Sequence, residues 1–275
     1  MKTLADHAAT LLQRVRARRP LVHHITNFVV MNDVANVTLQ VGALPVMAHA
    51  AEEVADIVEQ ADALALNTGT PTSARVQVMR LAGRAANARG IPVVLDPVGA
   101  GATSFRTGAC RQLLAELRIA VVRGNAGEIG ALSEAGGLMR GVESLGELEE
   151  PATVVRQAAQ RWDAIVAMTG RQDYISDGER VLIVGNGHHW LTTLTGSGCM
   201  ATAVAAAFVA VADDPLLAVA AGLACYGYAA ELAAARAEGP GSFKVALFDA
   251  LYALIPEALR QGARITQEGG QRHAH

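Results

Sequence analysis

At positions 63–66, 93–95, 119–122 and 164–168 the chain carries short runs that are apolar throughout. Helical patterns separate them, over 73–88, 104–117 and 153–162. A strand with no polar alternation has no face to offer to water, so both of its faces must be covered. When such strands alternate with helices they build a parallel sheet between two helical layers. The expected fold class is therefore α/β. After Thr169 the pattern changes: DYISDGERVLIVGNGHHWL alternates in the manner of antiparallel strands, with turn signals at Ser176-Asp177-Gly178 and Gly185-Asn186-Gly187. Alanine-rich stretches over 198–212 and 216–230 follow, fifteen residues each. Both are shorter than the roughly 18–20 residues of a bilayer span, and being apolar on nearly every face they read as helices of a core or a subunit contact. No linker or repeat divides the chain. Residues 1–265 are expected to form one three-layer αβα domain, with a mostly parallel central sheet, antiparallel strands at one side and no lid domain. Residues 266–275, ending GGQRHAH, are expected to be a frayed tail.

Composition narrows the function. A net charge of −3 with no basic block excludes a nucleic-acid binder or a protein of anionic membrane surfaces. The basic cluster Arg14, Arg16, Arg18 and Arg19 closes the first helical pattern, where cations complement the helix dipole. Three cysteines, Cys110, Cys199 and Cys225, show neither CxxC nor a zinc-like spacing with histidine. A reduced, cytoplasmic protein is the expectation. The opening MKTLADHAATLLQ places Asp6 and His7 where a secretion signal needs an apolar stretch.

In open α/β sheets ligands bind beyond the carboxyl ends of the strands. Those ends read NTGTP (67–71), DPVGAGAT (96–103), RGNAGE (123–128) and TGRQD (169–173), and TGSGC (195–199) opens a helix. There is no GxxxxGK[ST], so a P-loop is excluded, and GAGAT is a weak partial match to a dinucleotide fingerprint. The discriminating set is Asp96, Asn125-x-x-Glu128 and Gly196-Ser197-Gly198. Carboxylates at two strand ends suit a hard cation such as Mg²⁺ held largely through waters and substrate phosphate. Backbone N–H groups of a glycine turn at a helix N-terminus suit an anion, and Arg123 adds a fixed positive charge for a phosphate. Plainer readings stand beside these. Asn27 and Asn32 could cap the helix that starts near residue 32. Met47 could be core, Arg123 a surface ion pair, and Asp96 a turn residue before Pro97. The pairs His23-His24 and His188-His189, with His49, lack ligand spacing and are assigned to packing and surface. Cys110 and Cys225 are read as packing thiols.

Taken together the motifs resemble the ribokinase-like superfamily, whose members share an NxxE magnesium motif and a glycine anion hole. Within it, VHHITNFVVMNDVAN (22–36), ALPVMAHAAEEVADI (43–57), LDPVGAGATSFRT (95–107), RGNAGEI (123–129), TGSGC and GPGSF (239–243) are similar to the hydroxyethylthiazole kinases. That resemblance implies phosphorylation of the primary hydroxyl of 4-methyl-5-(2-hydroxyethyl)thiazole with ATP and Mg²⁺. It implies that Asn27, Val29 and Met47 line the thiazole pocket, with Gly196 near the hydroxyl. Arg123 and Thr169 would contact ATP phosphates, and Asp96 and Glu128 would order Mg²⁺ with Asn125 in support. Gly196, Ser197 and Gly198, with the Cys199 amide, would form the anion hole. Cys199 would stand as a poor but possible base where the superfamily carries Asp, its pKa lowered by the helix N-terminus and raised again by the phosphoryl charge. A homotrimer with the site at a subunit boundary is also implied. The alternatives are a kinase of another small alcohol such as hydroxymethylpyrimidine or pyridoxal, a nucleotide-dependent dehydratase of hydrated NAD(P)H, and a non-catalytic nucleotide sensor.

Overall fold

The structure is a computed structural model that describes residues 2–133, 139–140, 143–144 and 150–269. The chain opens with α1 (Leu4–Arg18), whose start is set by a capping box between Thr3 and Asp6. Then come β1 (Leu21–Ile25), α2 (Met31–Val41), β2 (Leu44–Val46), α3 (Val54–Val58), β3 (Ala63–Asn67), α4 (Ser73–Arg89), β4 (Val93–Asp96), α5 (Ser104–Glu116), β5 (Val121–Asn125) and α6 (Ala126–Ser133). Two short strands, β6 (Met139–Arg140) and β7 (Glu143–Ser144), pair only with each other. The second half runs through α7 (Pro151–Trp162), β8 (Ile165–Thr169), β9 (Asp173–Ser176), β10 (Val181–Val184), a 3₁₀ turn (His189–Thr193), α8 (Ser197–Val209), α9 (Pro215–Ala234), α10 (Pro240–Ala253), α11 (Pro256–Gly262) and β11 (Ile265–Gln267).

Nine strands form one sheet in the order β11-β10-β9-β8-β5-β4-β3-β1-β2. From β2 to β8 every pairing is parallel, and β8, β9, β10 and β11 are joined antiparallel. The expected mixed sheet is thus observed. The apolar runs explain the layering. On β3, Ala63 and Ala65 enter one core while Leu64 and Leu66 enter the other, and Val121 and Val122 of β5 divide in the same way. One core is closed by α1, α2 and α8–α10, the other by α4–α7. Alanines on the sheet face opposite α8 let an alanine-rich helix approach closely. At the α8–α9 crossing, a Cβ on Gly222 would stand 3.1 Å from the Ala205 Cα.

LVHHI, not among the apolar runs above, is a strand although two histidines interrupt its apolar pattern, because both imidazoles are buried and bonded: His23 Nε2 lies 2.9 Å from the Ala48 carbonyl and His24 Nε2 3.2 Å from Thr38 Oγ1. Three expectations need correction. The second alanine-rich helix, α9, is 20 residues long, not fifteen, and is long and apolar enough to cross a bilayer. Its length therefore does not exclude a span. Its placement argues for a core helix: 78% of its most apolar window is buried, with α1, α8 and α10 against it. The turn at Gly185–Gly187 does not lead into a further strand; the chain passes to the 3₁₀ turn, and the third antiparallel strand is β11 from the far end of the chain. Finally, the ordered sheet reaches Gln267, two residues into the expected tail, while 270–275 lie outside the described residues.

Candidate active site

β1 neighbours β2 on one side and β3 on the other, so the chain leaves β1 in one direction and returns in the opposite one. Such a reversal opens a crevice at the carboxyl ends of the two strands. Asn27, two residues past β1, and Asn67, the last residue of β3, face each other across it. Asn27 Nδ2 donates to Asn67 Oδ1 at 2.9 Å. Asn67 Nδ2 donates in turn to Asp96 Oδ2 at 2.7 Å, at the end of β4. Thr202 Oγ1 on α8 reaches the same oxygen at 3.0 Å, and Arg123 Nη1 on β5 lies 3.8 Å from Asp96 Oδ1. Arg123 Nη2 donates to Thr169 Oγ1 at the end of β8. Successive strand ends thereby deliver a continuous row of polar groups.

Asn125 and Glu128 form a reciprocal pair at the start of α6. The Asn125 amide donates to Glu128 Oε2 at 2.8 Å and the Glu128 amide to Asn125 Oδ1 at 2.9 Å. The Gly99 amide holds Glu128 Oε1 at 2.9 Å. Asp96 is wholly buried and Glu128 is 4% exposed. Burial raises both carboxyl pKa values, Glu128 to about 7, with the Asp96 charge adding to the rise and Arg123 opposing it. The plainer readings of Asp96 as a turn residue and Arg123 as a surface ion pair fail on burial, since Arg123 is only 8% exposed.

The glycine turn closes the crevice. Gly196 has φ 85°, and a Cβ there would stand 2.2 Å from Val30 Cγ1, so only glycine fits. A Cβ on Gly198 would stand 2.6 Å from Arg123 Nη1, which puts the guanidinium directly against the first turn of α8. The Ser197 amide is already taken by the Leu194 carbonyl at 3.2 Å, so it leaves the expected anion hole. The amides of Gly198 and Cys199 have no intrahelical acceptor, as at any helix start. Cys199 Sγ meets Asn67 Nδ2 at 3.2 Å and Asn27 Nδ2 at 3.4 Å. The lowering expected from the helix terminus is not seen: burial, and then the Asp96 charge, push the thiol up to about 12 even without the phosphoryl charge expected to raise it. Burial is the main cause, and the neighbouring Asp96 charge acts in the same direction. Cys110 and Cys225 are buried packing thiols, as expected.

The remaining assignments divide. Asn27 does not cap α2; the helix begins after Val30 with no side-chain cap, and Asn32 bonds to Asn36. Val29 donates its amide to Asn27 Oδ1 at 3.1 Å and is 63% exposed. Met47, just past β2, is partly buried and packs against the larger core. Among the described residues no three His, Cys, Asp or Glu side chains cluster as a metal site. The donors available to a cation are Asp96, whose Oδ1 is buried without a hydrogen bond, and Glu128. Two carboxylates are a set that fits Mg²⁺, which keeps waters and phosphate oxygens as its other ligands. Beside Thr169 lies a cleft of 530 Å³ lined by Ala126, Met168, Gly170, Gln172 and Tyr174, among others.

The family profile described as the Hydroxyethylthiazole kinase family matches residues 12–257. The chain is 60% identical over 269 residues to a hydroxyethylthiazole kinase of Roseiflexus sp. (strain RS-1), covering 98% of this chain and all of that one. A solved hydroxyethylthiazole kinase from Pyrococcus horikoshii OT3 superposes with a TM-score of 0.88 at 45% identity, covering 94% of this chain and 98% of the other. The chain belongs to the hydroxyethylthiazole kinase family. A Staphylococcus aureus pyridoxal kinase is similar in fold alone, with a TM-score of 0.54 at 17% identity over 74% of this chain and 84% of its own. Membership in the hydroxyethylthiazole kinase family, with Asp96, Glu128 and Arg123 all in one crevice, sets aside the reading as a nucleotide sensor. Two residues of this crevice escaped the sequence reading. Asn67 stood in the quoted NTGTP without a role, and Thr202 follows Cys199 by three positions on α8, hence on the same helix face.

Proposed function

We propose that this hydroxyethylthiazole kinase family member transfers the γ-phosphoryl group of ATP to the primary hydroxyl of 4-methyl-5-(2-hydroxyethyl)thiazole. The observation that carries the reading is the side-chain chain Asn27–Asn67–Asp96–Arg123–Thr169, which joins the segment implied to hold thiazole to the groups suited to phosphate. The thiazole rests at Asn27, with Val29 and Met47 as its apolar flank. The ATP phosphates lie on Arg123 and Thr169, and the rest of the nucleotide occupies the cleft beside Thr169. Asp96 and Glu128, with Asn125 in support, would hold Mg²⁺, whose charge would offset that of the phosphates. The hydroxyl oxygen forms its bond to the γ-phosphorus as the bond to ADP breaks, and the hydroxyl proton passes to an oxygen of the transferred phosphoryl group. The Gly198 and Cys199 amides and Arg123 then receive the charge on the transferring group, which is where positioning and electrostatics lower the barrier of phosphoryl transfer. The Cys199 thiol, pushed up to about 12, serves as a neutral hydrogen-bonding group and not as an ionised base.

The thiazole side of the crevice is open: Phe28 and Val29 are 64% and 63% exposed. An apolar pair at the mouth of a site that must exclude water supports closure by a second copy, in the homotrimer the family resemblance implies. Free thiols at Cys110, Cys199 and Cys225 support a reducing, cytoplasmic setting. Incubation with ATP, Mg²⁺ and a panel of thiazole, pyrimidine and pyridoxal alcohols, read by product mass, tests the reading. Thiazole phosphate is the expected product; phosphorylation of another alcohol in preference would replace it.

A further inference from the structure

We infer that Asn67 is a positioning residue that couples thiazole binding to phosphoryl transfer; the inference rests on the function proposed above. Its side chain, 4% exposed, makes four contacts, and their polarity fixes its orientation. The Gly69 amide donates to Oδ1 at 2.9 Å, and an amide N–H cannot accept, so Nδ2 must point the other way. On its acceptor side, Oδ1 also takes Asn27 Nδ2 at 2.9 Å, which fixes the residue that closes the thiazole segment. On its donor side, Nδ2 reaches Asp96 Oδ2 at 2.7 Å and Cys199 Sγ at 3.2 Å. One planar amide therefore spans the crevice between β1 and β3 and ties the proposed thiazole loop to Asp96 and Cys199.

The backbone around it reinforces that geometry. Thr70, three residues on, holds a left-handed conformation (φ 45°) that a β-branched residue rarely adopts, and its Oγ1 accepts from the Phe28 amide at 3.3 Å. The loop after β3 thus grips residues 27 and 28 from two points, and the left-handed turn at Thr70 is held by that grip. Asn67 is placed to act through Asn27 on where the thiazole sits, and through Asp96 and Cys199 on the phosphoryl acceptor geometry. A shift of about 1 Å in either can cost about 10²-fold in rate.

Two substitutions separate the sides of the amide. Asn67→Asp keeps an oxygen toward Gly69 and Asn27 but removes both donated bonds and sets a second carboxylate against Asp96. Asn67→Ala removes both sides. Calorimetric thiazole Kd, ATP Kd, kcat and thermal unfolding are measured for each. Asn67→Asp is expected to hold thiazole within about threefold of wild type and to lose at least about tenfold in kcat, whereas Asn67→Ala loses in both, with ATP Kd unchanged in each. A side chain of purely structural importance would lower unfolding temperature and weaken both substrates together, and that pattern overturns the inference. So does a folded Asn67→Asp with wild-type kcat. If Asn67→Ala does not fold, the isosteric Asp variant still decides. Wild-type product formation is read first in the same assay, so failure of the proposed reaction is distinguished from failure of the positioning role.

Discussion

Charge at Asp96 and Glu128 is needed chiefly where negative charge accumulates, which is the transition state. Asp96→Asn and Glu128→Gln are therefore expected to lower kcat by at least about 10²-fold while thiazole Kd changes by less than about threefold. Calorimetry beside steady-state kinetics measures both; abolished thiazole binding with normal kcat would contradict the assignment. Cys199→Ala is expected to cost no more than about tenfold in kcat, since a thiol pushed up to about 12 supplies no ionised base. A loss of a thousandfold would restore the base role. Gly196→Ala meets Val30 Cγ1 at 2.2 Å in a backbone conformation with φ 85°, and about 1–3 kcal/mol of stability should be lost, read from urea unfolding. Of these residues, Asp96, Asn125, Glu128 and Gly196 were legible in the sequence because each belongs to a local pattern. Asn67 and Thr202 were not, because their partners lie 29 and 106 positions away in the chain.

β1 illustrates how an element can be stable with two imidazoles in it, and at what pH that stability is lost. His24 is fully buried and its pKa falls from 6.5 to about 3, mainly through burial, with His23 and His49 beside it. Below pH 6.5 the unfolded chain binds a proton that the folded chain does not, so His24 makes the fold less stable as pH falls from 6.5 toward 3. One such proton corresponds to about 1.4 kcal/mol per pH unit. Glu128, whose folded pKa is raised, works in the opposite direction, so the comparison must be made against a variant. Stability of wild type relative to His24→Gln is expected to decline by about that slope between pH 6 and 4. Parallel urea-midpoint curves for the two proteins would show that His24 is not buried neutral. The pattern LVHHI hid the strand because periodicity reads imidazole as polar, whereas here each ring has a buried partner.

At the scale of the whole molecule, the exposed pair Phe28 and Val29 is the place where assembly can be tested. If a second copy covers the thiazole side, Val29→Asp should shift the mass found by light scattering from trimer toward monomer and weaken thiazole binding. On an uncovered surface the same change would stay within about 0.5 kcal/mol of wild-type stability and leave the mass unaltered. The sequence by itself determined the layered α/β class, the run of parallel strands and which polar residues stand at their ends. Those follow from short-range rules: apolar runs of strand length, helical spacing between them, and glycines or carboxylates at fixed offsets. Only the tertiary structure decided that β1 lies between β2 and β3, and hence that Asn27 and Asn67 meet across a crevice. It alone decided that Cys199 is buried beside Asp96, which raises its thiol pKa, and that β11 completes the sheet edge. Strand order and burial are set by packing among residues far apart in the chain, and no local pattern encodes the electrostatic field that such packing creates.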